Sequence, residues 1–500
     1  MNNKNLLSVL LIAAAFGGGF YIGDQGDATI IDNGAQGASY AGGFRASEDF
    51  GAATVAVPIA GGDILIVNDG ESIQDAVNRA KAGDTIRVMP GTYTETVYID
   101  KDSIRLIGVI EEGNWPTLEG ERRLNDAVLY SGNNIVIENL KIMHYKGNAI
   151  MGQAGNNFEI RNNLIVDTGV YGIFPQLGQN GIVEGNIISG IEDAAIYIGM
   201  SDNVHVTHNE VFDSVAGIEI ENSRHAIVEN NYVHNNTGGI LAFITPGLPI
   251  KTTRDVIIRN NFIIDNNTAN FGAPGSTVAG IPAGTGILVM AADEVVIEDN
   301  IITGNKTAGI LVVDHQNASN VTMDPDSDPV PDNVAILDNF MMNNGYDTID
   351  EVKALMLIEL KTGNPDIVRA GEVRDSCINN RHRYNVVGMG VFANCDFDNT
   401  DSIDTYLLPE PVAAREIDQS EQGKITYLGI CSGCHSYTGR LIGPPVEIIQ
   451  AMYKDNPEAL AAFIANPTKR RPDYPEMPPQ NYLSEEVRLA VAEYMLQASN

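Results

Sequence analysis

The chain has 500 residues, with 65 acidic against 31 basic side chains and a formal net charge of -34 at pH 7. So negative a surface repels phosphate backbones and anionic bilayers, which excludes nucleic acid as a partner class and leaves membrane contact only to an uncleaved N-terminal segment. A chain of this length does not fill one compact core, and 50 glycines beside a single Trp point to a repeat array.

In chain order, residues 1–22 read as an export signal: Lys4 supplies the positive end and Leu6 to Phe16 the apolar stretch. An N-terminal anchor is the alternative, against which the triple Gly17-Gly18-Gly19 and the short length argue. The expected location is periplasmic or otherwise exported. Residues 23–60, rich in Gly, Ala, Asp and Ser, have the composition of a flexible linker. Ser72 to Lys81 is then an amphipathic helix with Ile73, Ala76, Val77 and Ala80 on one face, suited to cap an open strand edge.

From about 61 to 400 the sequence repeats. Asn163, Asn186, Asn209, Asn231, Asn261, Asn300 and Asn339 fall in register, with spacings of 23, 23, 22, 30, 39 and 39. A second column, Ile150, Ile173, Ile196, Ile218, Ile240, Ile287 and Ile310, keeps the same period. Short alternating segments joined by Asn and Gly turns suit one coil of a parallel β-helix per repeat, with the Asn amides bonded in a ladder and the branched Ile filling a narrow core. Three inserts, at about 243–254, 266–285 and 314–332, interrupt the period. With the Ile column inward, Leu241, Phe243, Leu288, Met290, Leu311 and Val313 face outward and need a cover, either the inserts or a docking partner. Thr348 to Leu360 reads as a helix that closes the last coil.

The opening from Ser72 to Tyr93 and these rungs resemble the right-handed parallel β-helices of the pectate-lyase-like group. More closely, Ala216 to Ser223, Asn236 to Ile240 and Pro282 to Ile287 resemble a bacterial family of parallel β-helix domain-containing proteins. That resemblance implies a fold and an exported location, with no established activity. It also implies companion c-type cytochromes as partners.

Chemistry on the solenoid is thinly signalled. Glu219 and Glu221 share an outward strand face and could act as acid and nucleophile, though a solvated face is the simpler reading. His205 and His208 differ by three and would face opposite ways on a strand, a poor metal pair. Asp324, Asp326, Asp328 and Asp332 could hold calcium but lack the Gly and terminal Glu of an EF-hand loop. Tyr171-Gly-Ile-Phe-Pro-Gln176 is similar in outline to the Tyr-Gly-X-Asp-Pro-His signature of mannuronan epimerases, but Phe174 and Gln176 replace the two proton-exchanging residues. No complete catalytic constellation results, so the chain leans away from being an enzyme. Cys377 and Cys395 read as a disulfide tying down the last coil, with free or metal-bound thiols as the alternative.

After a linker at 401–415 the character changes: residues 416–500 carry only 7 basic and 11 acidic side chains. Cys431-Ser-Gly-Cys434-His435 is a Cys-x-x-Cys-His motif, in which two thiols form thioethers to haem vinyls and the adjacent His reaches the iron. A redox dithiol or half a zinc site would need surroundings that are missing. The segment resembles class I cytochromes c: Gly423 and Tyr427 match that family's first helix, Gly443-Pro444 the loop behind the proximal His, and Glu476-Met477-Pro478-Pro479 the loop delivering the distal Met. Ser484 caps a final helix in which Val487, Val491, Tyr494 and Met495 share a face. The resemblance makes Met477 the sixth ligand, while Met452 and Met495 read as packing. Lys469, Arg470 and Arg471 form the one basic cluster, facing either a haem propionate, an acidic partner or solvent.

The expected protein is therefore an all-β right-handed parallel β-helix solenoid followed by a small all-α cytochrome c domain. It carries one covalent haem c, with calcium as a further candidate, and passes single electrons to other c-type cytochromes or periplasmic redox partners. The alternative is a polysaccharide-active or polysaccharide-binding β-helix with an accessory cytochrome.

Overall fold

A computed structural model describes residues 62–414 and 419–498, except residues 249, 275, 322, 389, 391, 433, 434, 436, 438–442, 472, 473, 475, 476 and 478. It also describes a short antiparallel pair, Ala38–Ser39 with Arg45–Ala46. The expected export signal, the rest of the linker at 23–60 and Cys434 lie outside the described residues.

Three parallel sheets of 12, 10 and 11 strands run the length of a solenoid, each coil giving one strand to each. The inward columns are set by register: Ile150 pairs with Ile173, Ile173 with Ile196, and so on through Ile218, Ile240, Ile287 and Ile310 to Ile367. All are fully buried. Because successive strands stack roughly 4.8 Å apart, one branched side chain repeated in place makes a continuous core.

The corners explain the asparagines. Asn186 Nδ2 donates to Asn209 Oδ1 at 3.0 Å, Asn209 to Asn231 at 3.0 Å, and the ladder continues through Asn261 and Asn300 to Asn339. Each amide also closes its own corner, as Asn209 Nδ2 does on the carbonyls of Val183 and Thr207. The residue before each ladder Asn is left-handed: Asn162, Gly185, His208, Asn230, Asn260, Asp299 and Asp338 all have φ between 44° and 66°. That conformation tolerates Asn, Asp or Gly best, which accounts for the recurrent doublets. His208 stands in this column, so its spacing from His205 reflects a corner and not a strand.

A second ladder, absent from the sequence reading, runs from Ser214 through Asn236, Asn266 and Asn305 to Asn344. It follows left-handed Asp213, Asn235, Asp265, Gly304 and Asn343 in the same way.

The helix at the N-terminal end is Ile73–Arg79, capped by Ser72, whose side chain accepts from Asp75 N, and it buries Ile73, Ala76 and Val77 as expected. The helix expected to close the other end does not do so. Asp350–Ile358 instead lies against the outer face of the third sheet, where Val352 is buried with Leu355 and Met356 beside it. The tip is closed by the last strand, Val386–Val387, by Arg369 over the ring of Phe392, and by the Cys377–Cys395 disulfide.

The stretch expected as a linker is pinned. Asn203 Nδ2 donates to Tyr406 O, Leu408 N to Asn180 Oδ1, and Val412 N to Asn157 Oδ1, so the chain runs back along a third row of corner asparagines. It delivers a C-terminal helical region, Gln419–Thr426, Val446–Met452, Pro457–Ala465 and Glu485–Gln497, onto the third sheet. Leu483, with Ile430, Tyr482 and Val487, joins one apolar cluster with Tyr98, Leu129, Met151 and Phe174 of that sheet's outer face.

Candidate functional site

Two places concentrate chemistry. In the helical region, Gly423 lets the first helix cross the last: a Cβ there would stand 2.2 Å from Ala490 O. Tyr427 packs on Tyr494 with ring centroids 5.5 Å apart, and its hydroxyl donates to His435 O at 2.6 Å. Ser484 caps the last helix by accepting from Val487 N. These contacts frame a cavity of about 200 Å³ lined by Cys431, His435, Leu460, Phe463, Ile464 and Met477. Of the four sequence-derived site residues, three therefore meet on one cavity, and Cys434 lies outside the described residues.

His435 is fixed from behind. Its Nδ1 lies 2.8 Å from Pro444 O, which accepts the ring N–H, and Gly443 lies flush on the imidazole, since a Cβ would come within 2.3 Å of the ring. Burial holds the imidazole below its usual pKa, against the opposing pull of the Pro444 carbonyl. With Nδ1 engaged by the Pro444 carbonyl, Nε2 is the ring nitrogen left to act as a ligand. Met452 and Met495 also line the cavity; Met495 is buried in the helical core, and Met452 is exposed. Lys469, Arg470 and Arg471 stand on the cavity wall, with Arg470 over Phe463 at 4.4 Å and Arg471 over Tyr474 at 5.1 Å.

The second place is the outer face of the third sheet. Glu219 and Glu221, expected on a solvated face, are 2% and 7% exposed. The correction follows from their neighbours: Tyr197 is in register with Glu219 on one side and Leu241 on the other, and both are buried. Tyr197 donates a short hydrogen bond to Glu221. Tyr171, Phe174 and Tyr197 form a trio with centroids 4.4 to 4.8 Å apart. Burial and then the Glu221 charge push Asp193 well above the carboxylate range, burial and then the Asp193 charge do the same to Glu219, and burial raises Glu221 to about 7. Asp193, the residue before its strand, escaped the sequence reading; its carbonyl accepts from Ala216 N, at the start of the strand that carries Glu219 and Glu221.

Farther along this face, the outward residues Leu241, Phe243, Leu288, Met290, Leu311 and Val313 are covered by the chain itself. Val278 and Ile281 of one insert, Ala318 of another and the helix Asp350–Ile358 roof them, leaving a cavity of about 660 Å³. Elsewhere the candidates have structural partners. His205 Nε2 is 2.9 Å from Glu229 Oε1. In the insert at 314–332, Asp324 accepts from Lys251 Nζ, and Asp328 and Asp332 face Arg374. Among the described residues no three His, Cys, Asp or Glu side chains lie so as to hold a metal ion. Among them, too, no helix is long and apolar enough to cross a membrane.

A family model described as "Right handed beta helix region" matches residues 123–245 and 242–325. The chain thus carries a right-handed parallel β-helix domain. Among solved structures it is similar to the A-module of a mannuronan C-5 epimerase from Azotobacter vinelandii, with 12% identity, 64% of this chain and 91% of that one covered, and a TM-score of 0.43. An alginate lyase from Paenibacillus sp. str. FPU-7 gives 14% identity, 62% and 99% coverage, and a TM-score of 0.43. A family 28 exopolygalacturonase from Yersinia enterocolitica gives 13% identity, 64% and 79% coverage, and a TM-score of 0.38. No curated protein matches the chain in sequence.

Proposed function

We propose that the protein is an exported electron carrier in which the helical region holds one covalent haem c, and that the β-helix is its scaffold and docking body. The observation that carries this reading is His435: Nδ1 held by Pro444 O at 2.8 Å, Gly443 against the ring, and Met477 on the wall of the same cavity. A neutral imidazole, a thioether and two thiols at Cys431 and Cys434 form the donor set that haem c requires, and apolar Leu460, Phe463 and Ile464 suit its ring.

A haem bound there supplies one-electron exchange between ferric and ferrous iron. The chain's own residues do the rest. Cys431 and Cys434 would tether the ring, and His435 would coordinate through Nε2, its plane fixed by Pro444 and Gly443. Met477 would supply a thioether ligand and favour the ferrous state. Lys469, Arg470 and Arg471 on the wall would offset the charge of the propionates. The partner is another c-type cytochrome or periplasmic redox protein.

The test is a reduced-minus-oxidised spectrum of the purified chain. A c-type α band that disappears in Cys431→Ala is expected, and its absence in the wild type overturns the reading. A weak ferric band near the red end of the visible spectrum should vanish in Met477→Ala while the α band persists.

The second reading, a polysaccharide-active or polysaccharide-binding solenoid, is supported by the fold and by the buried carboxyls of Glu219 and Glu221 on one strand, one of which can stay protonated as a general acid. Turnover of a polysaccharide by the full chain, lost in Glu219→Gln, would establish it.

A further inference from the structure

We propose that the roofed cavity of about 660 Å³ on the outer face of the third sheet binds a single-chain neutral amphiphile, an aliphatic chain ending in a hydroxyl or ester head. The proposal goes beyond both functional readings and rests on neither.

The floor sets the shape of the ligand. Leu241 pairs with Leu288, Leu288 with Leu311 and Leu311 with Val368, one residue per coil. A second row, from Phe243 through Met290 to Val313, runs beside it. With coils stacked roughly 4.8 Å apart, the first row is a straight apolar track of about 14 Å along the solenoid axis, suited to an extended chain. A sugar would leave its hydroxyls unpaired against such a floor.

The roof comes from three separate departures from the repeat. Val278 and Ile281 belong to the insert at 266–285, Ala318 to that at 314–332, and Val352 and Leu355 to the helix Asp350–Ile358. Protein interiors leave few voids larger than a water, and the interior of this solenoid is packed with fully buried Ile and Val. A cavity of about 660 Å³ falls instead within the roughly 300–1,000 Å³ of small-molecule sites.

The mouth sets the head group. The exposed side chains of the lining are those of Asn317, Ser319 and Glu351. A hydroxyl or ester can bond Ser319 or Asn317 there, whereas a carboxylate meets the like charge of Glu351. Arg369, the one basic residue among the described lining residues, gives a carboxylate no partner: its guanidinium lies over Phe392 at 5.7 Å and donates to Val373 O, and register sets it beside inward Val312. A cationic head would gain little from one exposed carboxylate.

The test is calorimetric titration of the full chain at pH 7 with 1-hexanol, 1-octanol and 1-decanol, and with decanoate and decylamine. One site per chain is expected, tightening about fourfold per added methylene as the chain enters the track. Decanoate should bind about tenfold or more weaker than decanol, and decylamine no tighter. Leu288→Trp on the floor and Ala318→Trp in the roof, each of which fills the cavity, should abolish decanol binding. In the wild type, decanol should slow amide exchange at residues 277–281 and 350–358 and leave the helix Glu485–Gln497 unchanged, which decides the matter where a Trp variant does not fold. Non-saturable uptake, equal binding of decanoate, tighter binding of decylamine, exchange unaltered at those residues, or undiminished binding by a folded Trp variant overturns the proposal. Because none of these readouts involves electron transfer or polysaccharide turnover, failure here leaves both functional readings standing.

Discussion

The solenoid and the helical region solve the problem of a core in opposite ways. In the solenoid the corner asparagines meet their equivalents one coil away, so Asn209 bonds Asn186 and Asn231 as they bond their own neighbours. In the helical region a helix crossing, Gly423 against Ala490, and a small apolar core frame a cavity that His435 and Met477 line. A periodic fold can thus be stable from its own repetition, whereas the short helices around a cavity, at most 13 residues long, depend on what fills it.

The largest effect should separate the two. Protein made without haem attachment, through Cys431→Ala, should lose residues 416–500 to limited proteolysis while the solenoid fragment survives intact. Equal protease resistance of both regions would break the contrast. Within the solenoid, Asn209→Leu removes the side-chain donor to Val183 O and Thr207 O and the acceptor of the Asn186 backbone and side-chain N–H groups. A loss of about 3 kcal/mol or more is expected in denaturant unfolding, with the haem spectrum unchanged. The smallest effect sharpens the exception on the third sheet, where polar groups are buried without a repeat to satisfy them. Glu221 has a folded pKa of about 7, above its unfolded value, so its contribution to stability is complete in acid and declines as pH rises from the carboxylate range to about 7. Roughly 2–3 kcal/mol is lost over that window. Melting temperatures across it should fall in the wild type and fall less in Glu221→Gln.

Much of this contrast was legible in residues. The 22–23 residue spacing exposed the Asn ladder and the Ile column because a solenoid places equal residues at equal heights, and Ser72 and Ser484 announced their helices by capping chemistry. The second ladder was hidden because Ser214 opens it and left-handed Asp or Gly replaces the first Asn of its doublets at Asp213, Asp265 and Gly304. The linker at 401–415 looked free because its hydrogen bonds go to Asn157, Asn180 and Asn203, more than 200 residues away.

By itself the sequence determined the solenoid, the disulfide pair Cys377–Cys395 and the residues that gather around His435, since each depends on local spacing or a short motif. Tertiary structure alone decided that Glu219 and Glu221 are buried and that the helix Asp350–Ile358 roofs a cavity instead of closing an end. Burial is fixed by what lies across a face, and here that cover comes from inserts and a returning chain whose positions no periodicity records.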